Sequence, residues 1–145
     1  MFVGHDLENQ AAEGSGGVRW TLFFVAVLRV HAFDRRDIKT VLDMLSDDVE
    51  VFDTVPYRFD GKPLFAKFLT EAFEGIASAS FGFRQPSCRV YNDIVGIVNA
   101  YDMFTAVTKD GKPMAIHGRS TLVFVKQGTQ WKIVSAHFSH LPHTP

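Results

Sequence analysis

The chain has 145 residues, with 15 basic and 16 acidic side chains for a formal charge of −1, and it carries 14 phenylalanines. A chain of this length buries roughly 70% of the surface its unfolded form exposes, so one domain with a substantial core forms without disulfide or metal staples. Balanced charge excludes the basic stripe that a phosphate backbone requires, so nucleic acid is not an expected partner. Cys88 is the single cysteine and forms no intrachain disulfide, which fits a reducing compartment and makes the cytoplasm the expected location.

The stretch Ala11 to Gly17 is small and Gly-rich, so residues 1–17 read as a flexible leader to a single domain over 18–145. The run Leu22 to Leu28 is apolar throughout but covers only about a third of the ~20 residues that cross a bilayer. Acidic Glu8 and Glu13 precede it and Arg29 and His31 follow, unlike a secretory signal, so it is a core helix and no membrane partner is expected. Trp20, Phe23, Phe24, Val27 and Leu28 keep the period of one helix face and predict a first helix over 18–33. Asp37 is a good N-cap for a second, in which Ile38, Val41, Leu42 and Leu45 repeat the period until Ser46-Asp47-Asp48 stops it. Residues 49–53 alternate as a short strand. Asp60-Gly61 makes a turn, Pro63 suits a first helical turn, and Leu64, Phe65, Phe68, Leu69 and Phe73 line a third helix that Gly75 closes.

From about residue 79 the period becomes two, with turn signals at Asn92-Asp93, Asp110-Gly111 and Gly128-Thr129. Strands are predicted near 80–91, 94–109, 114–127 and 130–140, with Pro86 bending or bulging the first. Helices first and a long meander afterwards make an α+β domain with the helices on one sheet face. One side of the third meander strand presents His117, Arg119, Thr121, Val123 and Val125, and the other Gly118, Ser120, Leu122 and Phe124. In the last strand, Trp131, Ile133, Ser135, His137 and Ser139 alternate with Val134, Ala136 and Phe138. Both faces are substantially apolar, so the outer face is expected to pair subunits, as a homodimer.

The segments Asp37-Ile38 through Asp48-Val49, Tyr57 with Asp60-Gly61-Lys62, and above all Gly118-Arg119-Ser120-Thr121 through Gln130-Trp131-Lys132-Ile133-Val134 to His137-Phe138-Ser139 carry a family resemblance over about 18–142. Their order resembles the nuclear transport factor 2-like, or cystatin-like, superfamily. The carboxy-terminal segment looks like the SnoaL-like bacterial proteins and the association (hub) domain of calcium/calmodulin-dependent protein kinase II. The resemblance implies a cone: three N-terminal helices packed on a curved, mainly antiparallel sheet, with a pocket at the wide end and the outer face used for assembly. Family members include isomerases, dehydratases, cyclases, binding proteins and oligomerisation modules, so the fold does not choose the function. Where the kinase hub has pocket arginines, this chain has Met103, Leu122 and Phe138, so an anionic-ligand pocket is not implied.

The expected function is binding of a small, largely hydrophobic molecule in the cone, with cofactor-free acid/base chemistry of isomerase, cyclase or dehydratase type. The alternative is a non-catalytic homo-oligomerisation module. Asp53, following Val49 and Val51, is a candidate base at the cavity mouth, where desolvation strengthens a carboxylate as a base, or else a turn-capping residue. His137 is the second candidate catalytic group, because an imidazole titrates near neutrality. His117 and Arg119 share a strand face and, with Ser139, Met103 and Leu122, are candidate ligand contacts. Tyr57 and Tyr101 are candidate hydrogen-bond donors to a substrate oxygen. Asp34, beside Arg35 and Arg36, is a further carboxylate, and the facing of Asp102 between Ala100 and Phe104 stays open. His137, His140 and His143 are spaced by three but lack a completing carboxylate or cysteine, so no metal is expected. A Gly-rich phosphate loop and a nucleophile elbow are both missing, so no nucleotide cofactor is expected either.

Overall fold

The computed structural model describes residues 32–55 and 58–142. The leader, all but the end of the helix expected over 18–33, His31, Tyr57 and His143 lie outside the described residues. Residues 32–34 are helical and lead through a turn into α1 (Ile38–Asp43). Then come β1 (Leu45–Phe52), β2 (Arg58–Asp60), α2 (Lys62–Glu74), β3 (Ile76–Tyr91), β4 (Val95–Thr108), β5 (Pro113–Gln127) and β6 (Gln130–His140). The result is an α+β architecture.

Asp37 caps α1 as its side chain type predicts, accepting from the Thr40 backbone N–H at 3.1 Å and the Thr40 hydroxyl at 2.7 Å. That helix stops earlier than the apolar spacing implies. Leu45 belongs to β1, because the Ile133 N–H bonds to the Met44 carbonyl at 2.8 Å and pairs this chain segment with β6. The strand expected over 49–53 therefore begins at residue 45, and the same apolar period serves first a helix and then a buried strand position. Pro63 lies in the first turn of α2 and Gly75 caps its end. Phe65, Leu69 and Phe73, four residues apart, form its buried stripe.

The six strands run in the order β2-β1-β6-β5-β4-β3, all antiparallel except β1 beside β6. Asn92 and Asp93, with φ of 52° and 57°, and the Ile94 N–H to Tyr91 carbonyl bond make the two left-handed positions of a primed turn between β3 and β4. Gly111 (φ 86°) supplies the same freedom between β4 and β5.

Two bulges decide which side chains face the helices. One falls between Arg84 and Ser87, at Pro86 as the sequence implies, with Gln85 at φ 52°. It shifts the inward positions of β3 from Phe81 and Phe83 to Pro86 and Cys88, all but Phe81 fully buried. The second falls in β6, where Phe124 pairs with Ile133 and the next residue, Val123, with Ser135. Strict alternation puts Trp131 and Ile133 on the side of His137; the bulge moves them to the side of Ala136 and Phe138, facing the core. Val98, Leu122, Phe124 and Ala136 on the inner sheet surface belong to the same core cluster as Phe65 and Leu69 of α2.

Candidate functional site

A cavity of about 240 Å³ lies between the inner sheet face and α2, beside the 53–55 loop. Seven phenylalanines line it: Phe65, Phe68 and Phe73 from α2, Phe81, Phe104 and Phe138 from the sheet, and Phe33 from the helical turn before α1. Phe33 ties these walls together, with its ring centroid 5.1 Å from Phe73, 5.8 Å from Phe81 and 5.9 Å from Phe104. Such aromatic contacts hold the wall in place through edge-to-face attraction as well as burial.

Two carboxylates enter this apolar space, Asp53 and Asp102, and none of the described lining residues is Lys, Arg or His. Asp102 is buried on the inward side of β4, between Phe83 on β3 and Gly118 on β5, its register partners. Ser120, buried one inward position along β5, donates its hydroxyl hydrogen bond to Asp102 Oδ2. Gly118 makes room for the carboxylate. A Cβ there would lie 2.9 Å from Asp102 Oδ1 and 2.5 Å from the Ser139 carbonyl oxygen. Asp53, half-buried, follows the last residue of β1, and its Oδ1 accepts from the Thr54 N–H at 2.6 Å and the Thr54 hydroxyl at 3.3 Å. It thus both caps its turn and lines the cavity.

The remaining sequence candidates divide differently. Tyr101, Met103, His117, Arg119, His137 and Ser139 all point to the opposite, outer face of the sheet, so the structure does not bring them to the cavity. They assemble there among themselves. Arg84 lies over the Tyr101 ring at 5.6 Å, Arg119 pairs in register with Tyr101 and Ser139, and the His137 ring sits 5.8 Å from Phe52. Leu122 faces inward but is fully buried in the core away from the cavity lining. Asp34 has a structural task, accepting the Phe81 N–H at 2.7 Å. Among the described residues no group of three or more His, Cys, Asp or Glu is placed to hold a metal ion.

A second, more open hollow of about 560 Å³ lies at the far end of β3 to β5, lined by Ser78 to Ser80, Thr105 to Val107 and Pro113 to Ala115. It contains no titratable side chain. Of these two hollows, the inner cavity is the one whose described lining combines enclosure, apolar walls and carboxyl groups. Sequence reasoning left Asp102 undecided; the signal that places it is its parity with Val98 and Ala106 along β4, all three buried.

Among the described residues no helix is long and apolar enough to cross a membrane. None of the curated proteins matches the chain in sequence. Solved structures share its fold. A nuclear transport factor 2-like superfamily protein from Salmonella enterica is 20% identical, with a TM-score of 0.77 over 88% of this chain and 94% of that one. A proposed scytalone dehydratase from Novosphingobium aromaticivorans is 12% identical, with a TM-score of 0.78 over 83% of this chain and 82% of that one. A ketosteroid isomerase-like protein from Erwinia carotovora atroseptica is 18% identical, with a TM-score of 0.69 over 82% of this chain and 92% of that one. The model of the SnoaL-like domain matches residues 24–144, and with the six-stranded sheet and its helices this establishes that the chain belongs to the SnoaL-like family within the nuclear transport factor 2-like fold.

Proposed function

We propose that this protein binds a small, largely hydrophobic, carbonyl-bearing molecule in the phenylalanine-lined cavity and moves a proton on it, in the manner of an isomerase or dehydratase. The observation that carries this reading is Asp102, a carboxylate buried on the cavity wall among aromatic side chains. A carboxylate on the wall of an enclosed cavity is within reach of a molecule bound there and can exchange a proton with it. In the proposed step Asp102 takes a proton from the carbon beside the carbonyl, leaving an enolate; the carboxyl proton exchanges with solvent, and Asp102 returns a proton to that carbon or to another. The Ser120 hydroxyl fixes the carboxylate's orientation. Proton transfer of this kind moves no electrons between molecules and calls for no cofactor. The dehydratase and isomerase-like descriptions of two structural relatives agree with this class.

The test is deuterium incorporation into 2-tetralone, a small aromatic ketone, in deuterated buffer, followed by mass spectrometry. The full chain is expected to accelerate exchange over buffer, Asp102→Asn to abolish that acceleration, and His137→Ala to keep it. Exchange no faster than buffer, or loss with His137→Ala alone, overturns the reading.

The outer face supports a second reading, compatible with the first: assembly of a homodimer. Tyr101, Met103 and Val107 are exposed there beside half-buried Ile97 and Val123. A solvated antiparallel face would normally be polar, and aromatic, Met and Arg side chains are those that subunit interfaces favour. Sedimentation velocity is expected to give a dimer that Met103→Glu converts to monomer; a wild-type monomer at micromolar concentration contradicts it. Cys88 is buried, and a single thiol suits the reducing cytoplasm proposed as the compartment.

A further inference from the structure

Among the described residues the charged side chains that line the cavity are all acidic, and this bears on the kind of molecule it accepts. Its described lining offers seven phenylalanine rings and two carboxylates, with no cationic side chain among them. Along the described lining, an anionic ligand would meet like charge and no donor able to form a bidentate pair. A cation would meet the opposite arrangement, since aromatic faces attract positive charge and a carboxylate completes the pair.

The two carboxylates are not equivalent. Asp102 is almost fully buried and receives the Ser120 hydroxyl, whereas Asp53 is half-buried in the 53–55 loop at the edge of the cavity. The Thr54 N–H and hydroxyl that donate to Asp53 are both neutral and converge on one oxygen, Oδ1. Its charge is therefore not cancelled by these contacts. A cation at a half-exposed carboxylate keeps part of its hydration, which avoids the full desolvation cost of an ion pair buried at Asp102.

We infer that the molecule bound in this cavity is an amphipathic amine, whose ammonium group sits at Asp53 and whose aromatic or alicyclic body fills the phenylalanine-lined interior. This rests on the cavity being the ligand site, as proposed above. It adds the charge of the ligand and the residue that reads it, and leaves Asp102 and Ser120 facing the apolar body for proton transfer.

Three probes of one shape decide it: phenethylamine, 2-phenylethanol and phenylacetate, which carry positive, zero and negative charge at pH 7.5. Each is titrated into the full-length protein by calorimetry and by aromatic carbon NMR. Phenethylamine is expected to bind about tenfold tighter than 2-phenylethanol, about 1.4 kcal/mol, with phenylacetate weakest. Asp53→Asn is expected to bring the amine and the alcohol within about twofold of each other, chiefly by weakening the amine. The ranking on the unmodified protein stands as a test even if the variant does not fold. Equal or tighter binding of phenylacetate, or an amine preference that survives Asp53→Asn, overturns the inference. Binding of 2-phenylethanol with no gain for the amine defeats the ligand's charge alone and leaves the cavity as a site. If none of the three binds, the cavity reading itself fails and this inference with it.

Discussion

Ser120 and Asp102 sit on neighbouring strands and are joined by a hydroxyl-to-carboxylate hydrogen bond on the buried face of the sheet. The antiparallel register pairs Asp102 with Gly118 and Ser120 with Ala100, so the hydroxyl reaches the carboxylate diagonally across the ladder. That geometry makes the two side chains one energetic unit. A double-mutant cycle with Ser120→Ala and Asp102→Asn, read by urea unfolding, is expected to give a coupling energy of about 0.5–3 kcal/mol. Simple additivity would mean that the bond contributes nothing to the folded state.

Gly118 is required by that unit. Its missing Cβ is the space between the Ser139 carbonyl and Asp102 Oδ1, and one of those two atoms is backbone that cannot swing aside. Gly118→Ala is expected to destabilise by about 1–3 kcal/mol, as overpacking does. Gly82, on the outer face, is the matched control, because a Cβ added there would meet nothing within 4 Å. Gly82→Ala is expected to change stability by less than about 0.5 kcal/mol. Equal effects at the two positions would contradict the assignment of faces.

Leu122 and Met103 lie on adjacent strands but on opposite faces of the sheet. Leu122 is fully buried, so Leu122→Ala is expected to cost about 2–5 kcal/mol in chemical denaturation. Met103 is 36% exposed, and in the monomer Met103→Ala is expected to cost under about 1 kcal/mol. A large loss at Met103 together with a small one at Leu122 would invert the sheet.

Much of this was readable in advance, and what was not has local causes. The Asp37 cap, Pro63 and Gly75 around α2, the three hairpin turns and the bulge at Pro86 each rest on a residue whose backbone preference acts alone. The bulge in β6 has no such marker. Val134 looks like any strand residue, yet the shift there separates Trp131, which faces the core, from His137, which strict alternation would place on the same side. Leu45 continues a helical spacing that only the hydrogen bond from Ile133 to Met44 interrupts. The short strand β2 ends on Asp60, the first residue of the expected Asp60-Gly61 turn, and its three residues are too few to show a period of their own. His117, Arg119 and His137 drew attention because their chemistry is versatile, but side-chain chemistry carries no information about which face of a two-sided apolar sheet encloses a cavity. Asp102 carried less obvious chemistry and the better position.

The acid limb of stability follows from exposed carboxylates. The Thr40 hydroxyl and backbone N–H hold the Asp37 carboxyl below its ordinary range; hydrogen bonding from Lys39 does the same for Asp43, and the Thr108 hydroxyl for Asp110. A folded pKa below the unfolded one gives stability that is full above the unfolded value and lost as pH falls through the folded one. Melting temperature is therefore expected to fall as pH drops below about 4. Asp37→Asn keeps a capping oxygen but removes one titrating group, so its melting curve is expected to be less steep over that range. An unchanged acid dependence in Asp37→Asn would show that this cap contributes no pH sensitivity.

The central claim is that ligands enter the phenylalanine-lined inner cavity rather than the histidine- and arginine-bearing outer face. Its most direct measurement is a carbon-resolved NMR titration of the full-length protein with a small neutral aromatic alcohol, 2-phenylethanol. Saturable shifts are expected at Phe65, Phe81, Phe104, Ile116 and Phe138, with Tyr101, Met103 and His117 unmoved. Saturable shifts at Tyr101, Met103 and His117 with the cavity signals unmoved would contradict it.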